Sequence, residues 1–213
     1  MTDVVLLSNR RGRYLPEALA SVRHLGGVGG VTVIDDSGDP EWRRFIARDV
    51  PLIEVADQPA GYGAAMAAVW AYGRAKGEPV FLLEEDFTIE RALNLADLHA
   101  VLEADPTLTQ VALQRQPWYQ NEVEAGGMIA AMRSGRRFEK RDGWLRHDAG
   151  FTGNPSLIAT QSFHFDWPQV AWSEMAMSNR LRAAGLAFAY FGEEGEEYVT
   201  HHGSERAETS HGY

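Results

Sequence analysis

The chain opens on Val4-Val5-Leu6-Leu7, a short apolar run of the kind a strand buried on both faces requires, and the run ends in the polar group Ser8-Asn9-Arg10. Leu15, Leu19 and Val22 then recur at helical spacing, with Pro16 suited to a first helical turn and Gly26-Gly27 closing the segment. A second strand is predicted over Val31 to Ile34, ending in Asp35-Asp36-Ser37-Gly38. A short helix over Glu41 to Ala47 and a third strand over Leu52 to Val55 follow. Gly61-Tyr62-Gly63 introduces an Ala-rich helix in which Met66, Val69, Trp70 and Gly73 share a face, and Val80 to Leu83 reads as the fourth strand. The order βαβαβαβ predicts an α/β fold with a mostly parallel central sheet flanked by helices, whose ligands sit beyond the carboxyl ends of the strands.

The second half is less regular. A helix carries Leu95, Leu98 and Leu102, a strand covers Gln110 to Gln114, and Arg115 to Asn154 reads as loop-rich. A strand near Ser156 to Thr160, a helix from Ser173 to Ala184 stopped by Gly185, and a strand over Leu186 to Phe191 complete the pattern. A short strand over Tyr198 to Thr200 then leads into His201-His202-Gly203.

Polar residues gather where the early strands end. Glu84-Glu85-Asp86 places three carboxylates directly after a buried strand, where alternation is expected to send Glu84 and Asp86 to one side, a geometry suited to a divalent cation held by hard oxygen ligands, Mg²⁺ or Mn²⁺. The same acids also fit a solvated turn, or the cap of a helix starting near Thr88. Asp35-Asp36 ends a second strand, and Asp-Ser-Gly turn chemistry accounts for it equally. Taken together, two acid clusters at strand ends favour a nucleotide, one carboxylate accepting from a base or ribose while the other cluster neutralises a diphosphate through its metal.

Composition narrows the picture. With 213 residues one compact domain spanning 1–213 is expected, and the formal net charge of -10 removes the uniform basic field of a protein that coats nucleic acid. There is no Cys, which excludes a disulfide scaffold, a thiolate nucleophile and a Cys-zinc site. No stretch approaches the roughly 20 apolar residues of a membrane span, and the opening run is too short for a signal-peptide core, so a soluble cytoplasmic protein is expected. The charge is unevenly spread. Arg133, Arg136, Arg137, Lys140, Arg141 and Arg146 outnumber Glu139 and Asp142 in one stretch, which also holds Phe138 and Trp144. Glu193, Glu194, Glu196, Glu197, Glu205 and Glu208 face only Arg206 at the end. The basic stretch fits a guide for diphosphate, a dock for an anionic acceptor, a lid, or a solvated loop. Arg115-Gln116-Pro117-Trp118-Tyr119 places aromatics past a strand, where they would stack on a sugar or pack in the core.

The order of motifs resembles that of GT-A glycosyltransferases, especially glycosyltransferase family 2. Val4 to Arg10 with Tyr14-Leu15 and Ala18 to Val22 is similar to that family's opening strand and helix. Val33-Ile34-Asp35-Asp36-Ser37 is similar to its strand ending in Asp-Asp. Gly61 to Gly73 followed by Phe81 to Asp86 resembles its Gly-containing helix, buried strand and Asp-x-Asp metal motif. The likeness covers roughly the first half of the chain. Two departures stand out: Glu84 replaces the commoner first Asp, which leaves Asp86 as the firmer ligand, and Gln58-Pro59-Ala60 precedes Gly61 where Asn is frequent.

The resemblance implies a single GT-A-like, Rossmann-related domain. Residues 1–90 would form the nucleotide-sugar half, and residues 91–213 the acceptor half and tail. It implies a nucleoside-diphosphate sugar donor with its base near Ser8, Asn9, Arg10 and Asp35, and with Asp36, Gly61, Glu84 and Glu85 lining the rest of the donor site. Asp86 would bridge diphosphate to Mn²⁺ or Mg²⁺, and His201 or His202 would complete the metal site, a His ligand favouring manganese. A carboxylate base would deprotonate a hydroxyl acceptor on a protein, nucleic acid, lipid precursor or glycan, with inversion. Glu174 fits that role, since Ser173 is placed to cap a helix whose N-terminus favours the ionised form, although Glu174 also serves as a plain dipole partner. Asp148, in His147-Asp148-Ala149-Gly150, is a second candidate.

Other classes remain open. A dinucleotide-binding oxidoreductase would use Gly61-x-Gly63, but Met66 occupies the third small position and Ala56 to Ala60 separates strand from glycine. A nucleotidyltransferase needs the same metal-held phosphates, though Ser8 to Arg13 has only one Gly. A non-catalytic nucleotide- or carbohydrate-binding domain would keep the fold alone.

Overall fold

The computed structural model describes residues 1–9, 14–113, 135, 137–193 and 195–202. Strand β1 (Thr2–Ser8) lies between β3 (Val28–Asp35) and β5 (Val80–Glu84), parallel to both, with β4 (Leu52–Glu54) parallel on the outer side of β3. The register aligns Ser8 with Asp35 and Leu7 with Glu84, so the acidic strand ends meet at one edge of the sheet. Beyond β5 the sheet becomes mixed. Strand β11 (Ser156–Ile158) runs antiparallel between β5 and β8 (Leu108–Leu113), β12 (Ala187–Phe191) is parallel to β8, and the hairpin β9 (Phe138–Arg141) and β10 (Trp144–His147) closes the far side. Among the described residues nine strands form this sheet, in the order β4-β3-β1-β5-β11-β8-β12-β10-β9, while the short β2 (Leu25–Gly26) and β7 (Leu93–Asn94) pair in parallel outside it.

Each central strand is apolar on both sides, and alternation splits its residues between two cores. Val4, Leu6, Phe81 and Leu83 pack with α1 (Leu15–Ser21) and α4 (Leu95–Ala104); Val5, Leu7, Val80 and Leu82 pack with α3 (Tyr62–Lys76) and α5 (Ser173–Ala183). The expected face of α3 is buried as a unit: Met66, Val69, Trp70 and Gly73. Trp70 donates from Nε1 to the Ser162 carbonyl at 3.0 Å and meets Phe151, Phe163 and Trp167. Helix α2 (Pro40–Ile46) is capped by Asp39, whose Oδ1 accepts from Glu41 N and Trp42 N.

Two segments differ from the sequence reading. The acids at 84–86 lead into a strand instead of capping a helix: β6 (Phe87–Ile89) pairs antiparallel with β13 (Val199–His201), because Phe87 and Ile89 are needed in the core. The stretch read as loop contains β9 and β10, joined by Asp142-Gly143 with Gly143 at φ 72°, the two-residue turn chemistry of a hairpin. There Arg146 pairs with Asp105 at 2.7 Å, Arg141 with Glu139 at 2.7 Å and Lys140 with Glu193 at 2.9 Å, so the described part of the basic stretch is largely matched by acids. Arg133 and Arg136, like Arg115 to Tyr119, lie outside the described residues. No helix among the described residues is long and apolar enough to cross a membrane.

His147, at the end of β10, is buried, with its ring stacked on Tyr190 at 4.3 Å and also against Phe138 and Phe188. Burial, aided by the charge of Arg146, pushes its pKa down from 6.5 to about 3. The folded imidazole is neutral where the unfolded one charges, so its contribution to stability is present above about pH 6.5 and is lost as pH falls toward 3, by at most about 1.4 kcal/mol per pH unit. His147→Phe is expected to flatten the fall in urea-unfolding free energy between pH 7 and pH 4.5; equal slopes in the two proteins would refute the assignment.

Candidate functional site

The chain leaves β1, β3 and β5 side by side, and backbone bonds from Asp36 N to Ser8 O (2.9 Å) and from Glu85 N to Leu7 O (3.0 Å) carry the register into the loops. Asp35 is fully buried. Its Oδ2 accepts from Ser37 Oγ at 2.6 Å and from Arg43 Nε at 2.9 Å, while Arg43, on the inner face of α2, also reaches Glu54 at 2.7 Å. Trp42 Nε1 donates to Ser8 Oγ at 3.1 Å. Asp35 therefore anchors α2 behind the strand ends, with its second oxygen buried and unpartnered among the described residues.

Asp36 does a different job. Oδ1 accepts from Ala60 N at 2.8 Å and Oδ2 from Gly61 N at 2.7 Å, so one carboxylate holds the loop that starts α3. Gly61 caps that helix at φ 90°, ψ 169°, a conformation open essentially to glycine alone. The cap delivers Tyr62, in the first turn, to the strand ends.

The Tyr62 hydroxyl lies 2.6 Å from Glu174 Oε1 and 3.2 Å from Glu84 Oε1. Gly153 N donates to the same Glu174 oxygen at 3.1 Å. Burial, then the Glu84 and Glu174 charges, hold the Tyr62 pKa well above its usual 10, so the phenol stays protonated and acts as a donor. A Cβ on Gly153 would collide with Glu84 Oε1 and would stand 2.7 Å from the Tyr62 hydroxyl and 2.8 Å from Glu174 Oε1.

Glu85 is buried and accepts from Asn9 N at 2.9 Å. Asp86 is also buried, with Oδ2 3.4 Å from His201 Nε2, and its carbonyl accepts from His202 N at 2.8 Å. His201 stacks on Phe87 at 4.3 Å; His202 turns to Thr88 Oγ1 at 2.9 Å and lies over Tyr14. The three consecutive acids thus serve different partners, because the chain turns out of the sheet after Glu84 and ends the alternation expected to bring Glu84 and Asp86 together. Asp86 and His201 form a pair, and no group of three or more His, Asp or Glu able to hold a metal occurs among the described residues.

Ser8, Asn9, Asp36, Tyr62, Glu84, Glu85 and Asp86 line one small cleft of about 40 Å³, the floor of a site and less than a whole nucleotide needs. Of the residues singled out in sequence, these strand-end groups come together, Glu174 joins them through Tyr62, and Gly61 supports them from beneath. Arg10 lies outside the described residues. Asp148 is not brought here: it follows His147 at the amino edge of β12, opposite the cleft, where its Oδ1 accepts from Arg137 N at 2.7 Å and closes the β9–β10 hairpin. Two residues of the arrangement escaped the sequence reading. Tyr62 carried a signal, a first-turn aromatic between two glycines after a strand; Gly153 carried none. A larger apolar groove of about 790 Å³, lined by none of the strand-end acids, lies between α1, β3 and α2.

No family model matches the sequence, and no curated protein matches it. Solved structures do share the fold. A mannosyltransferase from Pyrobaculum calidifontis, in complex with GDP-Man and Mn²⁺, superposes with a TM-score of 0.61 at 16% identity over 91% of this chain and 55% of that one. Glucosyl-3-phosphoglycerate synthase from Mycobacterium tuberculosis, in complex with Mn²⁺, UDP and glucosyl-3-phosphoglycerate, gives 0.56 at 17% identity over 94% and 71%. CMP:2-keto-3-deoxy-manno-octonic acid synthetase complexed with CTP gives 0.53 at 16% identity over 91% and 93%. The chain therefore has the fold of GT-A glycosyltransferases, which nucleotidyltransferases share, while spanning about half the length of the mannosyltransferase.

Trp172, and not Ser173 as expected, stands at the cap of α5: Ser173 is the first helical residue, no side chain caps that end, and Trp172 is the one non-glycine among the described residues at positive φ, 59°, and is 80% exposed. Opposite outcomes are expected at the two caps. Gly61→Ala should lower the urea-unfolding free energy by about 1–3 kcal/mol, and Trp172→Gly should raise it by up to about 1 kcal/mol through relief of the left-handed conformation.

Proposed function

We propose that this chain is a divalent-metal-dependent glycosyltransferase that moves a sugar from a nucleoside-diphosphate donor to an acceptor hydroxyl, with inversion. The observation that carries the reading is the placement of Glu174: a carboxylate from the second half of the chain is held by Tyr62 against the strand-end acids of the first. In this reading residues 1–90 bind the donor, with Ser8, Asn9 and Asp36 at its nucleoside side, and residues 91–213 supply the acceptor side.

Asp86 and His201 fit a cation. One carboxylate oxygen and one imidazole nitrogen 3.4 Å apart make a mixed donor set that suits Mn²⁺ better than Mg²⁺, and a two-residue set leaves positions for phosphate oxygens. Held there, a divalent cation would supply positive charge against the negative charge of a departing diphosphate. Glu174 takes the proton of the attacking hydroxyl, and its place in the first turn of α5 favours the ionised form that a base requires. The walls formed by Glu84 and Glu85 are acidic, so a cation held by Asp86 and His201 would be needed for the cleft to accept phosphate.

A nucleotidyltransferase is the second reading, favoured by the match to 93% of the synthetase chain against 55% of the mannosyltransferase. The products separate the two: a transferase releases nucleoside diphosphate from a nucleotide sugar, whereas a nucleotidyltransferase releases pyrophosphate from a nucleoside triphosphate.

With Mn²⁺ and a panel that includes GDP-mannose and UDP-glucose, the protein is expected to release nucleoside diphosphate slowly even without acceptor. Asp86→Ala should abolish Mn²⁺-dependent donor binding by calorimetry while leaving the unfolding transition in place. Glu174→Gln should keep donor binding and lose about 10²–10⁴-fold in turnover. Full turnover in Glu174→Gln, or pyrophosphate as the only product, would overturn the reading.

A further inference from the structure

Two carboxylates from distant parts of the chain meet at one phenol. Glu84 comes from β5, Glu174 from α5 and Tyr62 from the first turn of α3, and the Gly153 amide reaches the same point from the segment before β11. A hydroxyl has one proton to give. At 2.6 Å against 3.2 Å it goes to Glu174, and Glu174 Oε1 then accepts from both Tyr62 and Gly153. Two like charges so placed each favour protonation of the other, and a donor set between them opposes this. The arrangement requires a residue without a side chain at 153, since any Cβ there would enter the space where the three oxygens converge.

We propose that Tyr62 is a positioning residue for Glu174, its hydroxyl fixing that carboxylate and keeping it ionised beside Glu84, so that it is ready to take a proton from the acceptor. This rests on the reading of Glu174 as the base. The raised proton affinity of the phenol supports it, because the hydroxyl then remains a donor throughout the working pH range. Tyr62 also lines the cleft that Glu84 and Asp86 line, so the side chain that sets the base is itself a wall of the donor site.

The test uses the full chain carrying ¹³Cδ-labelled glutamate, with the Glu174 resonance identified by its loss in Glu174→Gln. Tyr62→Phe keeps the ring and its edge-on packing against Trp167 at 6.4 Å. It should raise the Glu174 titration midpoint by about one pH unit or more, through loss of a donor to the charged form. Glu84→Gln, which removes the facing charge, should lower the midpoint. The acid limb of Mn²⁺-dependent nucleotide-sugar hydrolysis should rise with the midpoint in Tyr62→Phe. An unmoved or lowered midpoint in folded Tyr62→Phe overturns the proposal, and so does an unmoved midpoint in Glu84→Gln should the Phe variant fail to fold. Unchanged turnover in Glu174→Gln overturns the base reading itself, whatever the titration shows, so the two failures are told apart.

Discussion

A buried carboxylate is tolerable only where donors replace the water it has lost, and four of them, Asp35, Asp36, Glu85 and Asp86, are buried along the carboxyl edge of the parallel strands. Much of the local architecture answers this requirement. Asp35 has Ser37 and the guanidinium of Arg43; Asp36 has two consecutive amides; Glu85 has the amide of Asn9. These bonds tie the acids to the loops that follow β1, β3 and β4, so the charge that lines the cleft also fixes its walls. The strands themselves contribute register and little else to the chemistry.

Donors on the main chain have a further effect. Because Asp36 is held by Ala60 and Gly61, the start of α3 cannot drift, and Tyr62 arrives at a fixed height above β5. Glu84 is the last residue of that strand and points, as Val80 and Leu82 do, to the α3 side, which is why it finds the phenol while Asp86, past the turn, finds His201 instead. Placement here follows from alternation up to the point where the strand stops.

That rule marks how much was legible in the sequence. The strands ending at Ser8, Asp35 and Glu84 announce themselves through apolar runs cut off by polar groups, and the buried face of α3 through its spacing. The cleft could be named because its residues follow one another at strand ends, where local sequence and tertiary position coincide. Elsewhere they part. Asp148 and Glu174 look alike as acids beside loops or helix starts, yet only the sheet order tells that β10 ends at the opposite edge. His201 and His202 differ only in the pairing of β13 with β6. Gly153 lies in a segment without periodicity, and its reason for being glycine is three oxygen atoms contributed by residues 62, 84 and 174. The hairpin turn Asp142-Gly143 was readable and was outweighed by the charged residues around it. The fold shared with sugar- and nucleotidyl-transferring enzymes supplies the edge, whereas the phenol bridge comes from this chain's own side chains.

The antiparallel insertion of β11 between β5 and β8 has a consequence for how the molecule comes into being. Asn9 and Glu85 are separated by 76 residues, and Tyr62 and Glu174 by 112, so the acids are far apart in any chain that has condensed only locally. Until the strands pair, those acids remain hydrated and mutually distant. Pairing of β1 with β3 and β5 brings the strand-end acids together, and β11, with Leu157 and Ile158 buried beside β5, places Gly153 across those ends, where Glu174 meets Tyr62. A local opening at β11 would withdraw the Gly153 amide from Glu174 while β1, β3 and β5 stayed paired and kept the strand-end acids in register, so the meeting of the two halves at Tyr62 would loosen before the sheet did.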